Sequence, residues 1–455
     1  MKKTNRFVKD MTEGVPYQLL LKFTIPLLFG NIFQQLYNYA DSYIVSRYVG
    51  SNALGATGST GSLVFFFFSL IAGLSTGIGI IVSQYFGIGN EKKVKDSIGT
   101  GFSVILVCSF VMASIGFFAA RPLLTLLKLD KVLMTDAVNY LRILAIGMLW
   151  VGIYNGVSNV LRALGDSKTP LIFLIVSSLL NVGLDLLFVV VFKWGVIGAG
   201  VATVMAQFVS AISCIIYAYR SNTYFRLTSE NLSPDTALIG KICRLGIPVA
   251  LQNSMIAFSL VILQAIVNSY GPVFTTAFTV VGRIEQLIQQ PFMSLGAALA
   301  TYTGQNIGAG KIKRVKRGFK SATIISTIFA LFIIAIFWGY TKPIVSTLAR
   351  KEDVMIYAMD GLRITCLFYP FLGLIYTTRN VLNGAGDAMF SLFTGIVECI
   401  GRVVFAYPLT LIPFMGKYGV FYATGLTWFL NGGFSFIRYK LGKWKTINVV
   451  ENIVE

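Results

Sequence analysis

Long apolar stretches recur through this chain, and they constrain its fold more than any other feature. About a dozen of them run for roughly 20 residues or more, the length that an α-helix needs to cross about 30 Å of hydrocarbon. The composition agrees, because 55% of the 455 residues are hydrophobic and only 13% are charged, whereas soluble domains carry about 25% charged residues. The sequence therefore predicts an integral membrane protein.

The spans are predicted to be helices and not strands. A membrane-spanning segment must satisfy its own backbone hydrogen bonds, and a barrel would show segments of about ten residues with alternating polarity. We therefore predict an all-α integral membrane fold with about twelve transmembrane helices. The predicted spans are residues 17–46, 52–84, 94–120, 133–163, 169–192, 195–219, 238–269, 273–304, 316–348, 354–383, 389–413 and 418–439.

The net charge of +19 is concentrated in clusters of lysine and arginine between the spans. In a twelve-span arrangement, the clusters before the first span and after the second, sixth, eighth and twelfth all fall on one side. Cytoplasmic loops carry the excess of lysine and arginine in membrane proteins, so we predict that both termini are cytoplasmic. There is no basic soluble domain, so we expect the lipid bilayer, and no nucleic acid, to be a partner.

Several kinds of chemistry are excluded by residue usage. The chain has no histidine, and its five cysteines are scattered without a CxxC pair. We therefore expect no cofactor and no resident metal centre, and proton chemistry within the membrane must use carboxylates. No GxxxxGK[ST] loop is present, so ATP bound to this chain is not the expected energy source. The composition also excludes a soluble enzyme, and we predict that the protein is not an enzyme.

The chain contains an internal repeat. YFGIGNEKKVK (85–95) matches NIGAGKIKRVK (306–316), and NVLRALGD (159–166) matches NVLNGAGD (380–387), each 221 residues later. We predict two pseudo-symmetric six-helix lobes in the same orientation, a plan that transporters commonly use. Two fused halves also make a monomer sufficient. The predicted division is an N-terminal tail (1–16), an N-lobe (17–220), a linker (221–237), a C-lobe (238–440) and a C-terminal tail (441–455).

These halves resemble the multidrug and toxic compound extrusion (MATE) family over nearly the full length. The resemblance is carried by QNIGAGK (305–311), by the RIE…QQP run (283–291) and by LRALGDSKTP (161–170). It implies a twelve-helix antiporter of the bacterial cytoplasmic membrane. Such a protein exports small drug-like molecules, often cationic, by alternating access against an inward gradient of H⁺ or Na⁺. The sequence leaves open which of these two ions is used.

Asp41 ends a polar stripe on the first predicted span. Asn31, Gln34 and Asn38 precede it at three- and four-residue steps, so all four side chains share one helix face. A carboxylate exposed to hydrocarbon costs at least a few kcal/mol, so we expect this face to point into the protein. The stripe is then either a seam of hydrogen bonds between helices or a path for an ion or a substrate.

A second intramembrane acid lies at a compatible depth. Asp185 is about 24 Å along the fifth predicted span, Asn181 lies one turn before it, and Thr203 is roughly 12 Å below the outer surface on the sixth. Oxygen-rich sites suit hard cations and can also share a proton. The MATE resemblance implies the same cation-coupling set in the amino-terminal lobe: Asp41, Asn181, Asp185 and Thr203. No other metal site is predicted.

Substrate contacts and a hinge are predicted near this set. Candidate substrate-binding residues are Gln34, Tyr37, Asn38 and Asn159, where Tyr37 could stack on a flat cation or could serve only in packing. Pro26 removes one backbone hydrogen bond from the first helix and permits a kink. Our hypothesis is that protonation of Asp41 biases this bend.

The second half lacks the polar stripe. At a shift of 222 residues, apolar side chains replace Gln34, Asn38 and Asp41 (Ile256, Leu260 and Leu263). Its intramembrane charges are Glu285, Glu398 and Arg402, which we consider as a gating or second acidic site. Glu398 and Arg402 have the i, i+4 spacing of an ion pair within one helix, and that structural role is favoured. Glu285 has no predicted partner and could bind substrate or lock its helix.

The leading function is therefore secondary active multidrug efflux. The alternative is a flippase for lipid-linked precursors, a related function that would favour a basic cavity and often more than twelve helices. A channel is a third class, but no ring of matching charges or repeated filter is present in the sequence.

Overall fold

The computed structural model describes residues 8–447 and 449–450, and their regular secondary structure is entirely helical. The predicted tails 1–16 and 441–455 therefore lie partly outside the described residues. Lys2, Lys3 and Arg6, which belong to the first basic cluster, are among the residues not described.

The first half of the chain contains seven long or short helices and a π-helical turn. They are α1 (Pro16–Tyr48), α2 (Ser51–Ile88), α3 (Glu91–Phe118), α4 (Ala120–Leu126), α5 (Lys131–Ala163), α6 (Lys168–Asp185), the π-helical turn Leu186–Val191, and α7 (Gly195–Ser221). The predicted polar linker is partly ordered, because it holds a 3₁₀ turn (Thr223–Phe225) and a short helix, α8 (Ser229–Leu232).

The second half repeats this order. Its helices are α9 (Thr236–Asn268), α10 (Pro272–Gly308), α11 (Ile312–Ser346), α12 (Glu352–Cys366), α13 (Tyr369–Gly384), α14 (Ala388–Thr410) and α15 (Gly419–Leu441), with 3₁₀ turns at Gly416–Tyr418 and Lys443–Lys445. The repeat extends to backbone conformation. Gly89 follows α2 with φ of 82°, and Gly310, 221 residues later, follows α10 with φ of 68°. Only glycine adopts this left-handed conformation without a steric penalty, which explains why both turns use it.

Two predicted spans are interrupted in the structure. The predicted span 354–383 is wrong as one straight helix, because α12 and α13 meet at an angle of 52°. Pro370 lies in the first turn of α13 and has no backbone N–H to continue the preceding helix. The predicted span 94–120 ends early, since α3 stops at Phe118 and α4, which contains Pro122, begins at Ala120.

Most of the predicted spans coincide with helices that can cross a membrane. In the described part of the chain, nine helices are long and apolar enough, and the bent pair α12–α13 makes a tenth. The other two predicted spans fall on α10 and α15. These helices are long enough, at 37 and 23 residues, but they are more polar than the rest.

The described residues divide into two compact units. Unit 1 comprises residues 8–11, 25–250 and 449–450, and unit 2 comprises residues 12–24 and 251–447. In unit 1, α5 packs against α2, α3 and α7, and α6 packs against α7. In unit 2, α13 packs against α10, α11 and α15, and α14 packs against α15. The predicted boundaries of the two lobes stay a prediction.

Candidate cation and substrate site

Asp185 lies in unit 1 at the point where α6 changes from an α-helix to a π-helical turn. The turn Leu186–Val191 follows directly, and Phe192 N donates to Leu187 O at 2.9 Å, the five-residue spacing of a π-helix. Such turns are rare and occur frequently at functional sites. Asp185 is fully buried, and so is Asn181 one turn earlier, with exposures of 0% and 2%.

The first helix brings a second carboxyl group to this point. Asp41 of α1 and Asp185 lie within hydrogen-bonding reach of each other, and Tyr37 and Tyr140 lie close enough to feel both charges. Within the described part of the chain, no group donates a hydrogen bond to either oxygen of Asp185 or to Oδ1 of Asp41. Two carboxylates this close in a medium of low dielectric constant repel each other, and a proton or a cation relieves that repulsion.

The other two predicted ligands are also neighbours. Asn181 Nδ2 donates to Thr203 Oγ1 at 3.4 Å, which joins α6 to α7. Asn181 Oδ1 is buried and accepts no hydrogen bond from the described residues, so it is available to a cation. The structure thus brings together Asp41 with Asp185, and Asn181 with Thr203. Their role in cation coupling stays a prediction.

A cavity of about 310 Å³ in unit 1 adjoins this set. Its volume lies at the lower end of the range for small-molecule sites. Gln34 and Tyr37 of α1 line it, as predicted for substrate contacts, and Asn181 and Thr203 also line it. Two residues of the predicted cation site therefore also border the space in which a substrate would bind.

The other two predicted substrate contacts do not line this cavity. Asn38 is exposed, and its backbone carbonyl accepts a hydrogen bond from Ser42 Oγ at 2.9 Å. Asn159 donates to Asn155 O at 3.0 Å within its own helix, α5. Pro26 is buried inside α1, which continues through it, and its role as a hinge stays a prediction.

Several residues that line the cavity were not predicted as substrate contacts. Asn155 and Arg162 lie two turns apart on one face of α5, and Gln207 lies one turn after Thr203 on α7. Their helical spacing was a usable signal. Tyr154 lines the same wall and donates to Pro170 O at 2.9 Å.

In unit 2, the predicted ion pair is confirmed. Arg402 Nη2 donates to Glu398 Oε1 at 2.7 Å, and Nη1 donates to Ser259 Oγ at 2.6 Å. Asn431 Nδ2 reaches the other oxygen of Glu398 at 3.3 Å. These bonds satisfy a buried pair, which fits the structural interpretation of the two residues.

Glu285, for which the sequence suggested no partner, lies beside Thr365 and Tyr369 and within electrostatic range of Arg402. These neighbours belong to α12, α13 and α14, so only tertiary packing reveals them. Glu285, Glu398 and Arg402 all line a second cavity, of about 400 Å³, in unit 2. The apolar residues Ile256, Leu260 and Leu263, which replace the polar stripe, line it as well.

Comparison with known proteins decides the family. The MatE family model matches residues 26–187 and again residues 248–408, once in each repeat. The chain belongs to the MATE family. The predicted resemblance is therefore confirmed, and this MATE protein is a multi-pass membrane transporter of small molecules, not an enzyme.

Relatives match over almost the whole chain. The probable multidrug resistance protein YpnP of Bacillus subtilis is 31% identical over 443 residues, which cover 97% of this chain and 98% of YpnP. The probable multidrug resistance protein YoeA of the same organism is 27% identical, with 81% of each chain covered. The probable multidrug resistance protein NorM of Thermotoga maritima is 22% identical over 81% of this chain and 80% of NorM.

Solved structures share the fold. A transporter of the MOP superfamily from Pyrococcus furiosus, described as having a binding pocket of reverse polarity, superposes with a TM-score of 0.91. It is 22% identical, and the match covers 98% of this chain and 100% of that one. An outward-facing multidrug resistance MATE transporter gives the same score at 21% identity and the same coverage. The predicted fold class, an all-α membrane protein of about twelve spans in two lobes, is confirmed.

Proposed function

We propose that this MATE transporter exports organic, often cationic, drug-like molecules in exchange for H⁺ or Na⁺ that enters through the unit 1 site. One observation carries the proposal: the carboxyl group of Asp41 lies against that of the fully buried Asp185. Buried acids that lack donors are expensive to keep in a membrane protein, and they mark ion pathways by default. The multidrug resistance names of its relatives, YpnP among them, support drug-like substrates.

The arrangement supports coupling by competition. Asn181 and Thr203 belong to the predicted cation set, and they also line the 310 Å³ cavity. A proton or Na⁺ at Asp41 and Asp185 removes the negative charge that would attract a cationic substrate. Departure of the ion restores that charge. Binding of one partner therefore weakens binding of the other, which is the coupling that an antiporter with alternating access requires.

The direction of transport follows from the predicted topology. With both termini in the cytoplasm of a bacterial cell, the ion enters down its gradient across the cytoplasmic membrane and the drug-like molecule leaves. A monomer is sufficient for this cycle. The flippase alternative is less favoured, because the unit 1 cavity adjoins two acids, whereas a lipid-linked precursor carries negative phosphate groups.

The proposal is tested by transport in liposomes. The full chain is reconstituted, and uptake or release of a fluorescent cationic dye is followed while a proton gradient and a sodium gradient are imposed separately. We expect one gradient to drive dye movement, and that gradient names the ion. We expect Asp41→Asn and Asp185→Asn to abolish the driven movement.

The matched control is Asp360→Asn. Asp360 accepts a hydrogen bond from Tyr418 OH at 2.9 Å in unit 2, away from the unit 1 site, and the substitution is chemically identical. We expect this variant to transport the dye. If Asp41→Asn transports as well as the wild type, Asp41 is a structural polar group and the proposed coupling site is wrong. If neither gradient moves dye through the wild type, labelled lipid-linked sugars become the substrate to test.

A further inference from the structure

The cavity of unit 2 carries charges that the proposed export cycle does not use. It holds about 400 Å³, within the range of small-molecule sites. Its wall contains four charged side chains, two acidic and two basic: Glu285, Glu398, Arg379 and Arg402. They project from three helices, α10, α13 and α14.

Two of these charges neutralise each other. Arg402 and Glu398 form the 2.7 Å pair already described, and their side chains are only 6% and 8% exposed. Ser259 and Asn431 occupy further hydrogen-bonding positions of the pair. A pair that is satisfied in this way has little remaining capacity to recognise a ligand.

The other two charges have no such match. Among residues 8–447 and 449–450, neither Arg379 nor Glu285 belongs to an ion pair. Arg379 instead meets neutral groups. Its guanidinium lies 4.9 Å from the centre of the Tyr376 ring, and it can donate to the amide oxygen of Gln252 at 2.7 Å. Glu285 lies beside two hydroxyl groups, and its Oε1 is buried without a hydrogen-bond donor among the described residues.

The space around these two groups is aromatic. Phe278 and Phe421 line it with ring centroids 5.8 Å apart, and Tyr376 and Trp428 complete the wall. Tyr376 is fixed through its hydroxyl, which donates to Gln289 Oε1 at 3.3 Å. Such a surface favours a flat apolar body.

We propose that the unit 2 cavity binds a zwitterionic organic molecule that has an ammonium group, a carboxylate and an aromatic body. The ammonium group pairs with Glu285, the carboxylate pairs with Arg379, and the body packs on the aromatic wall. A simple cation would leave Arg379 uncompensated, and a simple anion would leave Glu285 uncompensated. Burial of an unpaired charge is costly, so the cavity discriminates against both. This inference concerns binding alone and stands independently of ion-coupled export.

The test is equilibrium binding to the purified full chain in detergent, with three matched fluorescent probes. Nε-dansyl-lysine carries both charges, dansylcadaverine carries only the ammonium group, and N-dansyl-6-aminohexanoic acid carries only the carboxylate. Because no gradient is present, failure of the proposed antiport does not affect the result. We expect the zwitterion to bind at least about tenfold tighter than either singly charged probe, the effect of one charge-assisted hydrogen bond.

Variants assign the two ends of the probe. Arg379→Gln should reduce zwitterion affinity about tenfold and leave dansylcadaverine affinity unchanged or higher, and Glu285→Gln should impair both amine-bearing probes. Arg379→Lys should keep most of the zwitterion affinity. Asp41→Asn, in unit 1, is the control and should leave zwitterion binding unchanged.

The wild-type comparison of the three probes keeps the proposal testable even if a variant fails to fold. Equal affinity for all three probes would overturn it. So would zwitterion binding that survives both Arg379→Gln and Glu285→Gln, or that is lost in Asp41→Asn, because the bound probe would then lie elsewhere.

Discussion

Arg402 takes the place in the second repeat that Asn181 holds in the first, and it donates to Glu398 at 2.7 Å. The same backbone position therefore carries an uncharged ligand in unit 1 and a permanent cation in unit 2. Asp185 and Asp41, whose repeat positions in unit 2 are held by the apolar Ala406 and Leu263, lack such a cation among the described residues. The protein thus neutralises a buried acid by itself in one unit and leaves two acids for a mobile ion in the other.

Removal of one partner of the unit 2 pair should destabilise the protein strongly. Arg402→Met leaves the buried Glu398 carboxylate uncompensated, so we expect a loss of about 3–5 kcal/mol in the free energy of unfolding. The double variant Arg402→Met/Glu398→Gln should recover part of that loss. Thermal unfolding of the purified protein in detergent measures both. A double variant no more stable than Arg402→Met would contradict the prediction.

The hydroxyl group of Thr203 should tune the affinity for the coupling ion. Thr203→Val keeps the shape of the side chain but removes the oxygen that accepts from Asn181, and one lost oxygen contact is worth about 1 kcal/mol. We expect the ion concentration for half-maximal dye transport to rise about fivefold. Thr203→Ser keeps the oxygen and is the control. Equal behaviour of the valine variant and the wild type would remove Thr203 from the site.

The spans and the depth of the acids could be predicted from the sequence. Apolar runs of sufficient length specify membrane helices, and a constant rise per residue converts sequence position into depth. This arithmetic placed Asp41, Asp185 and Thr203 at similar levels, and the structure brings Asp41 into contact with Asp185. The helices of these residues are spatial neighbours that the depth calculation alone did not identify.

Which face of a helix turns inward was harder to predict. Asn155 and Arg162 line the unit 1 cavity, whereas Asn159, between them, bonds to its own helix. All three residues are polar and lie near one face of α5, so their order in the sequence does not distinguish them. Their orientation depends on how α5 packs against α2, α3 and α7, which is a tertiary property. The neighbours of Glu285 were hidden for the same reason.

Pro26 should affect transport more than stability. Because proline leaves one backbone carbonyl of α1 without its helical donor, the helix can bend near this point. Pro26→Ala supplies that donor and should straighten the helix, so we expect turnover of the dye to fall several-fold while the unfolding temperature stays the same or rises. Pro248→Ala, at the matching place in α9, is the control. Unchanged turnover in Pro26→Ala would sink the hinge hypothesis.

The segment that follows α7 is clamped onto the start of α3 by specific bonds. Asn231 Nδ2 donates to Asp96 Oδ1 at 2.8 Å, and Asp235 N donates to Thr100 Oγ1 at 3.2 Å. Gly99 permits this close approach, because a methyl group at that position would collide with the backbone carbonyl oxygen of Asn231.

Gly99→Ala should therefore displace the segment around Asn231. We expect a loss of about 1–3 kcal/mol in the free energy of unfolding, the usual cost of forcing an extra methyl group into a packed contact. Trypsin should then cleave faster at Arg226, which lies in the same connection. Gly240→Ala in α9 is the control, since a methyl group there meets no atom within 4 Å. If both variants unfold at the same temperature and resist trypsin equally, the clamp does not hold this connection in place.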